Sequence, residues 1–284
     1  MHVVQSITSE VMAAPRATVI IRVMTTPAIG TLLRDWRQRR RMSQLDLALE
    51  AEISTRHLSF VETGRAQPSR EMLLHLAQAL DIPLRERNAL LVAAGFAPRF
   101  EARALDAPDM AVAREAVQRV LDGHEPYPAL AVDRHWTLLA ANRAVMPLLD
   151  GVDPSLLSGA VNVLRLSLHP DGLASRIANL PEWREHLLHR LRQQIHASGD
   201  ATLGELYEEL KAYPVDARGP APAVPPSASI FVPMQLRTND GLLSFFSTTT
   251  VFGTPVDVTL AELALEAFYP ADEATGRIMR AMAM

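Results

Sequence analysis

Apolar residues in the first third of the chain recur every three or four positions, the period of helices that bury one face. Ile29, Leu32, Leu33 and Trp36 form such a stripe over 29–41. Leu45, Ala48 and Leu49 form the next, Leu58 and Val61 mark a third over 55–63, and Met72, Leu73, Leu76 and Leu80 a fourth. A fifth helix is expected over 84–94. The breaks agree with the stripes. Ser43 with Asp46 three residues on is a capping pattern, and Ser54 and Ser69 are further N-caps. Gly64 with Pro68, and Gly95 with Pro98, supply stops. Ala48 permits a second helix to cross closely. The second and third helices are short and joined by a tight turn, the spacing of a helix-turn-helix. A plain pair of packed surface helices is the competing reading, and the coincidence of caps, small residue and glycine stop weighs against it. The third helix leaves Thr55, Arg56, Ser59 and Phe60 on exposed faces, side chains suited to base edges and thymine methyls in a major groove.

The pattern changes after Gly123. Residues 99–123 read as a linker with an amphipathic helix, whose stripe of Met110, Val117, Val120 and Leu121 fits either the second domain or a second subunit. Residues 127–132 and 136–141 are apolar runs of strand length separated by Asp133, Arg134 and His135. A short helix from Asn142 to Leu149, helices over 161–167, 176–197 and 200–213 (with Thr202 and Glu205 as a capping box), and a Pro/Ala loop over 213–229 follow. Residues 230–236 and 242–252 form a hairpin around Asn239, Asp240 and Gly241. Thr259 and Glu262 cap a closing helix that reaches Phe268. The layout is α+β, a small antiparallel sheet with helices on one face. Residues 1–27 lack periodicity and read as a disordered extension or a start placed too early, with Met24 the alternative start and a strand over 17–24 the competing reading.

Composition changes the picture in four ways. The 284 residues, 48% hydrophobic and 21% charged, suffice for two cores. The chain has no cysteine, which excludes disulfides, thiolate metal sites and thiol nucleophiles and fits a reducing cytoplasm. No apolar run is long enough to span a bilayer, so no membrane partner is expected. The net charge of −4 resolves into +1 over 1–27, +2 over 28–98 and −7 over 99–284. Arg34, Arg37, Arg39, Arg40 and Arg41 crowd one helix end, where they complement the dipole and suit phosphate contact.

The motifs S-Q-x-x-L-A-like at Ser43 and I-S-x-R-x-L-S-x-x-E-x-G-R-x-x-P-S from Ile53 resemble the XRE-family helix-turn-helix regulators. That resemblance implies an all-α, five-helix, lambda repressor-like domain binding a double-stranded DNA operator. It implies phosphate or base contact from Gln44 and base reading by Thr55, Arg56 and Ser59. With the flanking residues, the expected DNA-binding set is Gln44, Ser54, Thr55, Arg56, Ser59, Phe60, Arg37, Arg40, Arg41 and Arg65. Further on, PALAVDRHWTLLAANRA, NVLRLSLHPDG and STTTVFGTPVDVTLAEL resemble the PAS-like domain of the MmyB-like transcription regulators. This implies a sensory fold with an interior cavity for a small hydrophobic or fatty-acid-like ligand. The expected organisation is a helix-turn-helix domain over 28–98, a linker helix over 99–123 and a PAS-like domain over 124–284.

Candidate ligand-binding residues are Trp136, Arg165, Leu166, His169, Phe231, Phe246 and Phe252, with Arg165 as carboxylate anchor. Strand alternation allows only one of Phe245 and Phe246 to face inward. The expected protein is a cytoplasmic, homodimeric regulator, without catalysis, metal or cofactor. A protein-interaction module in place of the sensory domain is the second reading. A hydrolase using His169, or a metal site at Glu182, His186 and His189, is the remote third.

Overall fold

The computed structural model describes residues 28–214 and 231–283. The readings of 1–27, and most of the Pro/Ala loop, lie outside those residues.

Five helices open the fold: α1 (Ile29–Arg39), α2 (Gln44–Glu50), α3 (Thr55–Glu62), α4 (Arg70–Ala79) and α5 (Leu84–Ala93). Ser43 caps α2 with a full capping box to Asp46, and Ser54 and Ser69 cap α3 and α4. Their core holds Leu33, Trp36, Leu47, Leu58, Leu73 and Leu76. One face differs from the one the apolar pattern predicts. Leu47 and Ala48 are the buried residues of α2, whereas Leu45 and Leu49 are 57% and 69% exposed. The reason is register: a seven-residue helix has too few turns for its stripe to be placed from three apolar positions. Gly30 allows α1 to lie against the end of α3, since a Cβ there would stand 2.5 Å from the carbonyl oxygens of Val61 and Glu62.

An amphipathic helix, α6 (Ala111–Asp122), leads into the second domain. Its Val117 and Leu121 pack on that domain, among Ala129, Ala131, Leu263 and Leu265, while Val120 stays exposed. The second domain is built on strands β1 (Ala129–Val132), β2 (Leu138–Ala141), β3 (Met234–Thr238), β4 (Gly241–Val251) and β5 (Ala264–Pro270). They form one antiparallel sheet in the order β2-β1-β5-β4-β3. Helices α7 (Val163–Leu168), α8 (Leu180–Ser198) and α9 (Ala201–Ala212) bring Leu166, Leu187, Leu191 and Leu206 into the main core of this domain. A seven-residue 3-10 helix, Arg143–Leu149, follows β2 where a short helix was expected.

The largest departure is at the C-terminus. The closing helix expected to run to Phe268 ends as α10 (Val258–Glu262), capped by Asp257. The chain then enters β5, which pairs with both β1 and β4 and is therefore the middle of the sheet. Leu, Ala and Glu in 264–268 favour a helix locally, and two flanking ladders override that preference. A further helix, α11 (Glu273–Met282), closes the chain. Asp200 caps α9 in place of the expected Thr202–Glu205 box. Among the described residues no helix is long and apolar enough to cross a membrane.

Candidate functional site

Helix α3 presents its outer face cleanly. Thr55 and Arg56 are exposed, and Ser59 and Phe60 half-buried. Ser54 is occupied as the N-cap, accepting from the His57 amide at 3.2 Å. Phe60 lies beneath the Arg56 guanidinium at 5.4 Å, so its ring is shared between the domain's own surface and any groove contact. Gln44 donates through Nε2 to Glu62 at 2.8 Å and keeps its Oε1 for an outside partner.

The arginine cluster divides. Arg37 is a correction: it is buried and holds Glu62 through Nε at 2.7 Å and Nη2 at 2.8 Å. A guanidinium locked in that fork is part of the core, and no phosphate reaches it. Burial pushes the Glu62 carboxyl up, but hydrogen bonds from Arg37 and Gln44 outweigh it and hold the group below the usual carboxylate range. Arg40 is also engaged internally, donating to the carbonyls of Leu80 and Asp81, both at 2.8 Å, at the end of α4. Arg34 lies 3.6 Å from Glu62, and Arg39 donates to the Ser198 carbonyl at 3.1 Å. Arg41 and Arg65 are exposed.

The second site is a cavity of about 290 Å³ between the sheet and the helices of the second domain. Leu130, Leu138 and Phe268 come from the sheet; Leu166, Trp183 and Leu187 come from α7 and α8. Met146 and Leu157 line it although they are 66% and 37% exposed, which puts its mouth between the 3-10 helix Arg143–Leu149 and a second one, Pro154–Leu157. That mouth opens on a surface groove sharing Met146, Leu149 and Leu157 and carrying Arg176, Arg237, Asp150 and Asp240. Inside, the charged lining residues are Arg190 and Glu266. They face each other at 3.1 Å between Nη1 and Oε2, and Thr249 also donates to Glu266 at 2.8 Å. The Arg190 guanidinium stands 4.6 Å over the Trp136 ring, whose Nε1 donates to Gln194 at 2.8 Å.

Of the residues expected from sequence, the cavity gathers Trp136 and Leu166. The others lie elsewhere. Arg165 faces α9 and makes a two-pronged pair with Glu209 at 2.6 and 2.7 Å, so its charge is already satisfied. That pair holds Glu209 down to about 2. His169 accepts the Asp171 amide at 3.1 Å and meets the Tyr213 ring edge-on, a loop role. Phe245 is the inward ring of its strand, fully buried, whereas Phe246 stacks on Tyr269 and touches Phe231. Phe252 packs toward α6 with Val117 and Leu121. The cavity's Trp183, Leu187 and Arg190 escaped notice, although the first two stand at i, i+4 on α8. Glu266 escaped with β5. Glu182, His186 and His189 do not converge: His186 stacks on Trp183 and His189 contacts Gln193. Among the described residues no three His, Cys, Asp or Glu side chains cluster to hold a metal.

Two family models match the chain, one described as the MmyB-like transcription regulator ligand binding domain over 113–282 and one as helix-turn-helix over 33–87. No curated relative matches it.

Proposed function

Since the chain belongs to the family of MmyB-like transcription regulators, joining a helix-turn-helix to that family's ligand-binding domain, we propose that it reads an operator through α3 and senses a small apolar or amphiphilic molecule in the cavity. The observation that carries the sensory half is an interior apolar space whose mouth is made of exposed Met146 and Leu157. A well-formed apolar pocket with few polar groups is what small-molecule sites look like. The interior charges of Arg190 and Glu266 neutralise each other. An amphiphile such as a fatty acid therefore enters tail first and leaves its head in the groove near Arg237. Two of the three tryptophans, Trp136 and Trp183, line the cavity and report on its filling. Titration with dodecanol and with dodecanoic acid should change tryptophan fluorescence and saturate at one molecule per chain. Leu187→Trp should weaken both at least about tenfold by occupying the space, a loss of about 1.4 kcal/mol. Unaltered binding in that variant would place the ligand elsewhere.

On DNA, Thr55, Arg56 and Ser59 supply base contacts while Gln44, Arg41 and Arg65 position the backbone. A domain of this size buries the lower end of a specific interface, so the protein acts as a homodimer on a two-fold operator with half-sites about 34 Å apart. On operators selected from random duplexes, Arg56→Ala should cost about 1–3 kcal/mol and relax preference at one base position. Arg41→Ala should weaken all sequences alike and flatten the salt slope by about one unit. Equal behaviour of the two across operators would remove the groove assignment.

A further inference from the structure

The two domains meet through charged side chains that are also tied to the cavity wall. Arg85 of α5 grips Glu262 of α10 through Nε and Nη2, both at 2.8 Å. Arg134, in the turn between β1 and β2, lies 3.4 Å from Glu86, 3.6 Å from Asp200 and 3.7 Å from Glu262. His135 beside it meets Asp200 at 2.8 Å. A second contact comes from α1, where the Arg39 guanidinium rests on Gly199 so closely that a Cβ there would fall 2.1 Å from Nη1. Gly199 has φ +69 and ends α8.

The Arg134–His135 turn and the Arg39 contact continue into the cavity. The residue after His135 is Trp136, which lines it. Trp136 holds φ 67, a left-handed conformation costly for a bulky side chain and found where surrounding structure imposes it. Its ring is fixed by Arg190 and Gln194, both on α8, and α8 ends at the Arg39 socket. One strained turn and one helix thus share residues with the cavity at one end and with α1 and α5 at the other.

We propose that the β1–β2 turn and α8 transmit cavity occupancy to the DNA-binding domain by tightening or releasing the ionic latch of Arg85, Arg134, Asp200 and Glu262 and the Arg39 socket. This rests on the cavity being a ligand site. Partly exposed ion pairs are individually weak, which suits a contact that a ligand must be able to shift. Coupling free energies between sites typically amount to about 5–150-fold in affinity, within reach of a small network of such pairs.

The test follows hydrogen exchange in the full chain with dodecanol as probe, binding being read separately by tryptophan fluorescence. Wild type should bind dodecanol and change amide exchange in 84–93 and 258–262 by about fivefold, the low end of that coupling. Arg134→Ala and Glu262→Gln should bind the probe as wild type does, exchange faster in both segments without it, and no longer respond to it. Bound probe with no response in 84–93 of wild type overturns the coupling, as do variants that respond like wild type. If fluorescence shows that wild type binds neither dodecanol nor dodecanoic acid, the sensory reading falls and the coupling with it. Faster exchange in the probe-free variants then marks the latch as a static interface alone.

Discussion

Glu62→Ala is expected to destabilise the helix-turn-helix domain by about 3–5 kcal/mol and to abolish operator binding while the second domain remains folded. Glu62 is the last residue of α3 and is 3% exposed. Its carboxylate takes both prongs of Arg37 at 2.7 and 2.8 Å and the Gln44 amide at 2.8 Å, and its carbonyl takes Arg34 at 3.2 Å. It therefore joins α1, the start of α2 and the end of α3. Alanine leaves Arg37 charged and buried with no counter-ion, and small domains have only about 5–15 kcal/mol in total. A smaller loss is expected when both charges go. Replacing Arg37 by Met and Glu62 by Leu together should recover most of the stability, because apolar side chains of like volume substitute well for a buried pair. Urea denaturation followed by circular dichroism, with operator binding measured on the same samples, separates these outcomes. A single variant within about 1 kcal/mol of wild type would show that the fork is ornamental.

The same carboxylate sets an acid limit. Its folded pKa lies below the unfolded value of 4.5. A depressed carboxylate contributes stability that is complete above the unfolded pKa and is lost as pH falls through the folded one. The DNA-binding domain should thus hold its stability down to about pH 4.5 and lose it below, whereas the Glu62→Leu, Arg37→Met protein should show a shallower acid slope.

The helix-turn-helix was legible because its information is local. Caps at Ser43, Ser54 and Ser69 and the stops at Gly64 and Gly95 each act within a turn of their own helix. The roles of the arginines were not legible. Arg37, Arg39 and Arg40 look alike in a basic run, yet Arg37 is sealed by Glu62 25 positions away, Arg40 donates to the end of α4, and Arg39 stays exposed while donating to a carbonyl 159 positions away. In the second domain the hairpin was readable from Asn239-Asp240-Gly241, whose geometry is local. The central strand was not, since Ala264, Leu265 and Glu266 become a strand only between two partners that are distant in sequence. Losing β5 also lost Glu266, and with it the charge balance of the cavity. A half-buried guanidinium at Arg165 needs an acidic partner, and the partner is Glu209 of the chain itself, 44 positions away, in place of a ligand carboxylate. Strand alternation separates Phe245 from Phe246, but the ring expected at the ligand, Phe246, is the outward one and the inward ring is Phe245.

That charge balance underlies the second large effect. Glu266→Leu should destabilise the unliganded second domain by about 3–5 kcal/mol, since it leaves Arg190 beside an apolar space without its counter-ion. Glu266 is 3% exposed, and Thr249 offers Arg190 only a hydroxyl in its place. In wild type the pair presents no net charge to a ligand, so dodecanol and dodecanoic acid should bind within about tenfold of each other, a difference of about 1.4 kcal/mol at most. In the variant the bare guanidinium becomes the one attractive group for an anion at the inner end. Dodecanoic acid should then reverse its orientation, bind at least about tenfold better than dodecanol and restore part of the lost stability through linkage. Thermal unfolding with each probe at equal concentration reads both effects. A wild-type protein that prefers the acid by about a hundredfold, and keeps that preference in Arg237→Ala, would mean that Arg190 leaves Glu266 on binding. The head would then lie inward from the start, and Arg237 would have no part in holding it.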